Sequence, residues 1–153
     1  MQDQPDTLTI DVPDEKSPDQ RVKISFFGTL GFGRFTAPDT TEDGILQVAA
    51  LDDLMATKLK VILQRIEAKD YRDIAAMLEV GVSLDRGLAI AQAMYGNNFQ
   101  PSESLKALTY FEGGDLHLLT PKEKRKLIEV ASAVRRLPSV AKIAQELATP
   151  FVS

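Results

Sequence analysis

Two hydrophobic periods divide the chain. In "TLTIDV" (7–12) and "RVKISFF" (21–27), β-branched and aromatic residues partly alternate with polar ones, the pattern of strands with one apolar face. Between them "PDEKSPDQ" supplies two prolines and four acids or amides, which is turn chemistry, so a β-hairpin is predicted. A Gly- and Pro-punctuated loop, "GTLGFGRFTAPDTTEDG", then leads into "ILQVAA", a further short strand.

From Leu51 the period becomes helical. Leu51, Leu54, Met55, Leu59, Ile62, Leu63 and Ile66 recur at spacings of three and four, one stripe along a first helix. A second helix starts near Asp70, turns Ile74, Met77 and Leu78 inward, and stops at Gly81. Ser83 is placed to cap a third that ends at Gly96. "SESLKALTYF" (102–111) follows Pro101 as a short fourth. In "TPKEKRKLIEVASAVRRL", Thr120 as cap, Pro121 at the first helical position and Glu123 closing a capping box mark the start of a fifth. "SVAKIAQELA" (139–148) has the period of a sixth. The prediction is an α+β chain: residues 1–50 a small β-hairpin with a partial antiparallel sheet, residues 51–153 a bundle of about six α-helices. So small a sheet needs helices, or strands from elsewhere, to cover it, and its exposed strand edge is a place for a second copy or another chain to pair.

Composition narrows the chemistry. With no cysteine, thiolate catalysis, disulfides and thiolate-bound zinc are excluded, and one histidine, His117, leaves any metal to carboxylates and hence to magnesium, calcium or manganese. No apolar run approaches the ~20 residues that span a bilayer, and the first residues lack the basic and apolar regions of a secretory signal. A cytoplasmic location is the expectation. The formal net charge of -4 argues against binding nucleic acid with the whole surface. A local patch is another matter. Residues 121–142 carry seven basic against two acidic side chains, and Lys122, Arg125, Lys126 and Arg136 would face either an RNA or acidic partner, or simply water.

The sharpest local conflict is Lys58, which falls within the apolar stripe, with Arg65 two turns further along the same side. A buried cation must be paired, and Asp70 and Asp73 stand just beyond. Read locally, Asp70 caps the second helix, Asp73 favours its positive end, and the cations pair with them or reach solvent along their stems. Read together, the four form a polar cluster on faces that local structure would not make polar.

The segment "ALDDLMATKLKVILQRIEAKDYRDIAAML" resembles the C-terminal signature of the nucleotidyltransferase AbiEii/AbiGii toxin family of type IV toxin–antitoxin systems. The residues that carry the resemblance are Leu54, Lys58, Leu59, Arg65, Lys69, Asp70, Asp73 and Ile74. It extends roughly over residues 20–110 and is strongest over 45–80. The resemblance implies a polymerase-β-type transferase that binds a nucleoside triphosphate with magnesium and passes a nucleotide to an RNA or protein hydroxyl. It implies that Lys58 contacts the triphosphate while Arg65, Asp70 and Asp73 shape the site, as a fixed cation would offset polyphosphate charge.

Enzymes of that class also carry a Gly-Gly or Gly-Ser turn leading a helix, and an Asp-x-Asp strand for the metals. This chain has no Asp-x-Asp and no Gly-Ser, and its Gly-Gly pair in "GGDLHLL" lies after the signature. Two-metal transfer needs those carboxylates. The expectation is therefore a truncated, transferase-like protein, equivalent to the C-terminal half of such a toxin and inactive alone. Its partner would be an upstream transferase half or a cognate antitoxin. The competing expectation is a non-catalytic helical interaction module, antitoxin-like or an assembly partner.

Overall fold

A computed structural model describes residues 7–28 and 30–149. Contacts divide the chain into two units, Met1–Gly31 and Phe32–Ser153.

The first unit is the predicted hairpin. Strand β1 (Thr7–Pro13) pairs antiparallel with β2 (Arg21–Phe27). The register sets Leu8 opposite Phe26, Ile10 opposite Ile24 and Val12 opposite Val22. Because side chains alternate, these six share one face. The other face is polar apart from Phe27: Thr9 and Ser25 share a 3.0 Å hydroxyl hydrogen bond, and Asp11 lies opposite Lys23. All six apolar residues remain 38–54% exposed.

The second unit opens with a two-residue ladder, β3 (Asp39–Thr40) against β4 (Gln47–Val48). Among the described residues five α-helices follow: α1 (Leu51–Val61), α2 (Ala68–Glu79), α3 (Leu84–Tyr95), α4 (Pro101–Ala107) and α5 (Pro121–Ala133). Helix α1 packs on α3 and α2, α4 on α3, and α5 on α2. Met55, Leu59 and Ile62 of the predicted stripe are buried with Ile74, Leu88, Leu108 and Leu127. Gly87 lets α1 and α3 approach closely, since a Cβ there would run into the inner part of the Met55 side chain. The thirteen-residue α5 has its capping box, with Thr120 Oγ1 accepting from the Glu123 amide and Glu123 accepting from the Thr120 amide. No helix among the described residues is long and apolar enough to cross a membrane.

The fold is α+β, but it departs from the predicted bundle of about six helices. Helix α1 stops at Val61, where amides of Leu63 and Gln64 turn to carbonyls three residues back. Leu63 and Ile66 therefore leave the buried stripe and are 37% and 49% exposed. Helix α5 ends at Ala133 rather than running to Leu137. Arg135 donates to the carbonyls of Ser132 and Val134, and Pro138 disfavours helical backbone just before it. The predicted sixth helix does not form. Residues 139–148 run without helix and bridge to Arg34 through Ala144.

Candidate functional site

The short link between α1 and α2 folds the second helix back along the first. That reversal brings Lys58, Arg65, Asp70 and Asp73 together. Asp70 is at the centre, its side chain fully buried. One of its oxygens accepts from Lys58 Nζ at 2.9 Å and from Arg65 Nη2 at 3.2 Å; the other accepts from Arg65 Nε at 2.9 Å. Lys58 Nζ also donates to Asp73 at 2.5 Å. Asp73 is half-exposed and Lys58 mostly covered, so the ammonium spans a closed inner side and an open outer one. Glu67 lies 3.8 Å from Arg65 and 3.0 Å from Lys69, completing a network of three cations and three carboxylates.

The electrostatics follow from competing forces. Burial acts most strongly on Asp70 and would raise its pKa, yet the bonds from Arg65 and Lys58 outweigh it and hold the carboxyl below its ordinary value. For Lys58, burial is again the largest influence and would lower the pKa. The contacts with Asp73 and Asp70 together exceed it, so the ammonium is held more firmly than usual. The bond to Asp70 raises Arg65 as well, partly opposed by desolvation.

Asp70 is not the cap of α2. The helix begins two residues earlier, at Ala68, with Glu67 in the capping position and making no cap bond of its own. The free amide of Ala68 is instead satisfied by Asp115 Oδ1 at 2.6 Å, from a loop 47 residues on. No local signal marks Asp115. Asp53 was also illegible as more than a first-turn acid. It is buried, and its Oδ2 accepts from the amides of Phe35 (2.8 Å) and Thr36 (3.3 Å), pinning the Gly- and Pro-punctuated loop to α1. The signal available was that such a loop has backbone amides needing partners. Beside it, Arg86 of α3 pairs with Asp52 at 2.7 Å.

The basic residues divide. Lys122, Arg125 and Lys126 line a shallow depression with Glu79 and Glu129, and Lys122 pairs with Glu79 at 2.8 Å. Arg136 lies beyond the end of α5, on the exposed segment, not on that helix.

A family model described as nucleotidyl transferase AbiEii toxin, type IV toxin–antitoxin system, matches residues 2–136, which takes in the hairpin, the ion network and all five helices. The chain belongs to the AbiEii family. No curated protein and no solved structure matches it. Membership establishes the relationship to nucleotidyltransferase toxins and points to an antitoxin as the kind of partner such systems use.

In this AbiEii chain the buried centre of the network does not suit magnesium: both oxygens of Asp70 are engaged by cations, so Asp70 offers a hard metal no free carboxylate. No group of three or more metal-binding side chains occurs among the described residues.

Proposed function

We propose that this AbiEii-family protein is a nucleotidyltransferase-like component that binds the phosphates of a nucleoside triphosphate at Lys58 and transfers no nucleotide by itself. The observation that carries the reading is the asymmetry around the Lys58 ammonium. Asp70 is buried and fixed by Arg65, so it positions the ammonium, whereas Asp73 is half-exposed and free to swing into water. An incoming phosphate replaces Asp73 at the open side and inherits a positioned cation, a favourable place for polyphosphate charge. Arg65 keeps Asp70 charged and oriented during the exchange.

Transfer requires metal-holding carboxylates that the sequence lacks as an Asp-x-Asp strand. On this reading they come from outside residues 1–153, with magnesium, in the cytoplasm. Two measurements test the reading. Nucleoside triphosphate binding, followed by calorimetry, weakens in Lys58→Met while the fold persists. Incubation with magnesium, total RNA and each labelled nucleoside triphosphate leaves the RNA unlabelled. Robust labelling by the chain alone refutes the inactive component; undiminished binding by Lys58→Met refutes the site.

The hairpin favours a second reading, a protein–protein module. Its apolar face of Leu8, Ile10, Val12, Val22, Ile24 and Phe26 is large for a two-stranded sheet, which is marginal alone. A partner strand or a second copy at this hairpin would cover it. Ile10→Lys/Ile24→Lys then abolishes association measured by sedimentation and leaves nucleotide binding intact.

A further inference from the structure

The segment expected to form the sixth helix is held by its main chain. Arg34 and Ala144 form an antiparallel bridge, with Arg34 N–H donating to Ala144 O (3.0 Å) and Ile143 N–H donating to Arg34 O (2.9 Å). The Arg34 guanidinium then reaches along the segment and donates through Nη1 to the carbonyls of Glu146 (3.0 Å) and Ala148 (2.6 Å). At the far end the Gln47 amide pairs with both main-chain groups of one residue, accepting from Thr149 N–H (2.7 Å) and donating to Thr149 O (2.8 Å). Gly33 permits the approach: its φ is +71°, and a Cβ there would strike Ala144 O and the Lys142 stem. The bonds from Arg34 Nη1 and from the Gln47 amide thus go to backbone groups alone.

The side chains show the opposite preference. Val140, Ile143, Ala144, Leu147 and Ala148 recur at helical spacing and would form one apolar stripe. In the docked segment that stripe is broken up, and Ile143 is 55% and Leu147 37% exposed. Docking is also imperfect, because Arg34 Nε is buried without an acceptor among the described residues. Local sequence and docked conformation disagree, the condition for two arrangements of similar stability.

We propose that Gly33, Arg34 and Gln47 form a docking site for a non-helical polypeptide main chain, filled in cis by residues 142–149, which bridge once at Ala144 and then bend over 145–148. Emptying it converts this segment into an amphipathic helix. The site reads backbone rather than side chains, so what it admits is set by the path of the main chain, a single bridge followed by bends.

The test uses the full chain with Arg34→Ala/Gln47→Ala. Amide hydrogen exchange at Ile143 and Thr149 should accelerate by at least about tenfold while Leu59, Ile74 and Leu88 keep their protection, since opening is local. A short helix is marginal in water, so helix formation is read by circular dichroism during titration with trifluoroethanol. The double variant should gain helix at lower alcohol than the wild type, and adding Gln145→Gly should remove that advantage without restoring slow exchange. Coincident titration curves, or unchanged exchange at Ile143 and Thr149, overturn the proposal. Ile143→Pro tests the same contact from the docked segment, where an exposed side chain cannot disturb the core. It removes the shorter of the two main-chain bonds to Arg34 O and should release the Arg34 and Thr149 amides; continued protection of both would also overturn the proposal.

Discussion

Replacing Asp70 by Asn keeps the side chain's shape and removes the charge on which the network is built. Asp70 accepts three charge-assisted bonds while fully buried. The bond from the largely covered Lys58 is worth about 1.5–2 kcal/mol. Those from Arg65, whose side chain is 45% exposed, are discounted for solvent to about 1 kcal/mol together. An Asn would also turn amide hydrogens toward a cation, so the expected loss is about 3 kcal/mol, the lower end for breaking a buried pair. Lys58→Met should cost less, about 2 kcal/mol, because Arg65 still satisfies both Asp70 oxygens and Asp73 is free to hydrate. The two are partners, so the double variant should fall short of the sum of the single losses by about 1.5 kcal/mol. Urea unfolding followed by far-UV circular dichroism at about pH 7 measures all three against the wild type. Additivity within about 0.5 kcal/mol would refute the claim that Asp70 holds Lys58.

Other consequences are quickly stated. The folded-state pKa of Asp70 lies below its ordinary 3.8, so its contribution is full above that value and is lost as the pH falls through the lower folded value. The stability gap between wild type and Asp70→Asn should therefore stay constant from about pH 5 to about pH 8 and narrow in acid; a gap that widens in acid contradicts the sign. Asp115→Ala uncaps α2 from a distance and should cost about 1 kcal/mol, whereas an unchanged urea midpoint would mean water serves Ala68 equally well. Ser104→Ala removes a buried 2.9 Å bond to the Leu59 carbonyl and should cost about 1–2 kcal/mol by the same assay. At Gly114, φ is +51° and a Cβ would overlap the Ile66 carbonyl, so Gly114→Ala should lower the unfolding free energy by about 2 kcal/mol or more; a neutral result would show that the link between α1 and α2 yields.

What could be read in advance follows the range of the interactions. The hairpin, the Ser83 cap and the capping box at Thr120 depend on neighbours within a few residues, and they appear where the pattern puts them. Lys58 was conspicuous because a cation on an apolar stripe breaks the pattern, and its partners lay one turn past the next reversal. Asp115 and Asp53 were illegible because each serves backbone amides far away in sequence, which leaves no trace in local composition. The sixth helix was misread for the converse reason. Its period is right, but Arg34 and Gln47, more than 90 residues upstream, capture the peptide groups a helix would have used.

The balance of charge within the network bears on its role. Lys58, Arg65 and Lys69 are matched by Glu67, Asp70 and Asp73, so the resting cluster presents no surplus cation to attract an anion from a distance. Capture of a polyphosphate must then begin with the loss of one carboxylate contact, and the carboxylates are unequal. Releasing Asp70 would strand a buried charge, which is costly. Releasing Asp73 returns a half-exposed group to water at little cost. Asp73→Asn should therefore strengthen nucleoside triphosphate binding, while Asp70→Asn should weaken it by letting Lys58 and Arg65 wander. A purely structural network predicts no change in binding from either substitution, so calorimetric titration of the pair separates the two roles more sharply than stability alone.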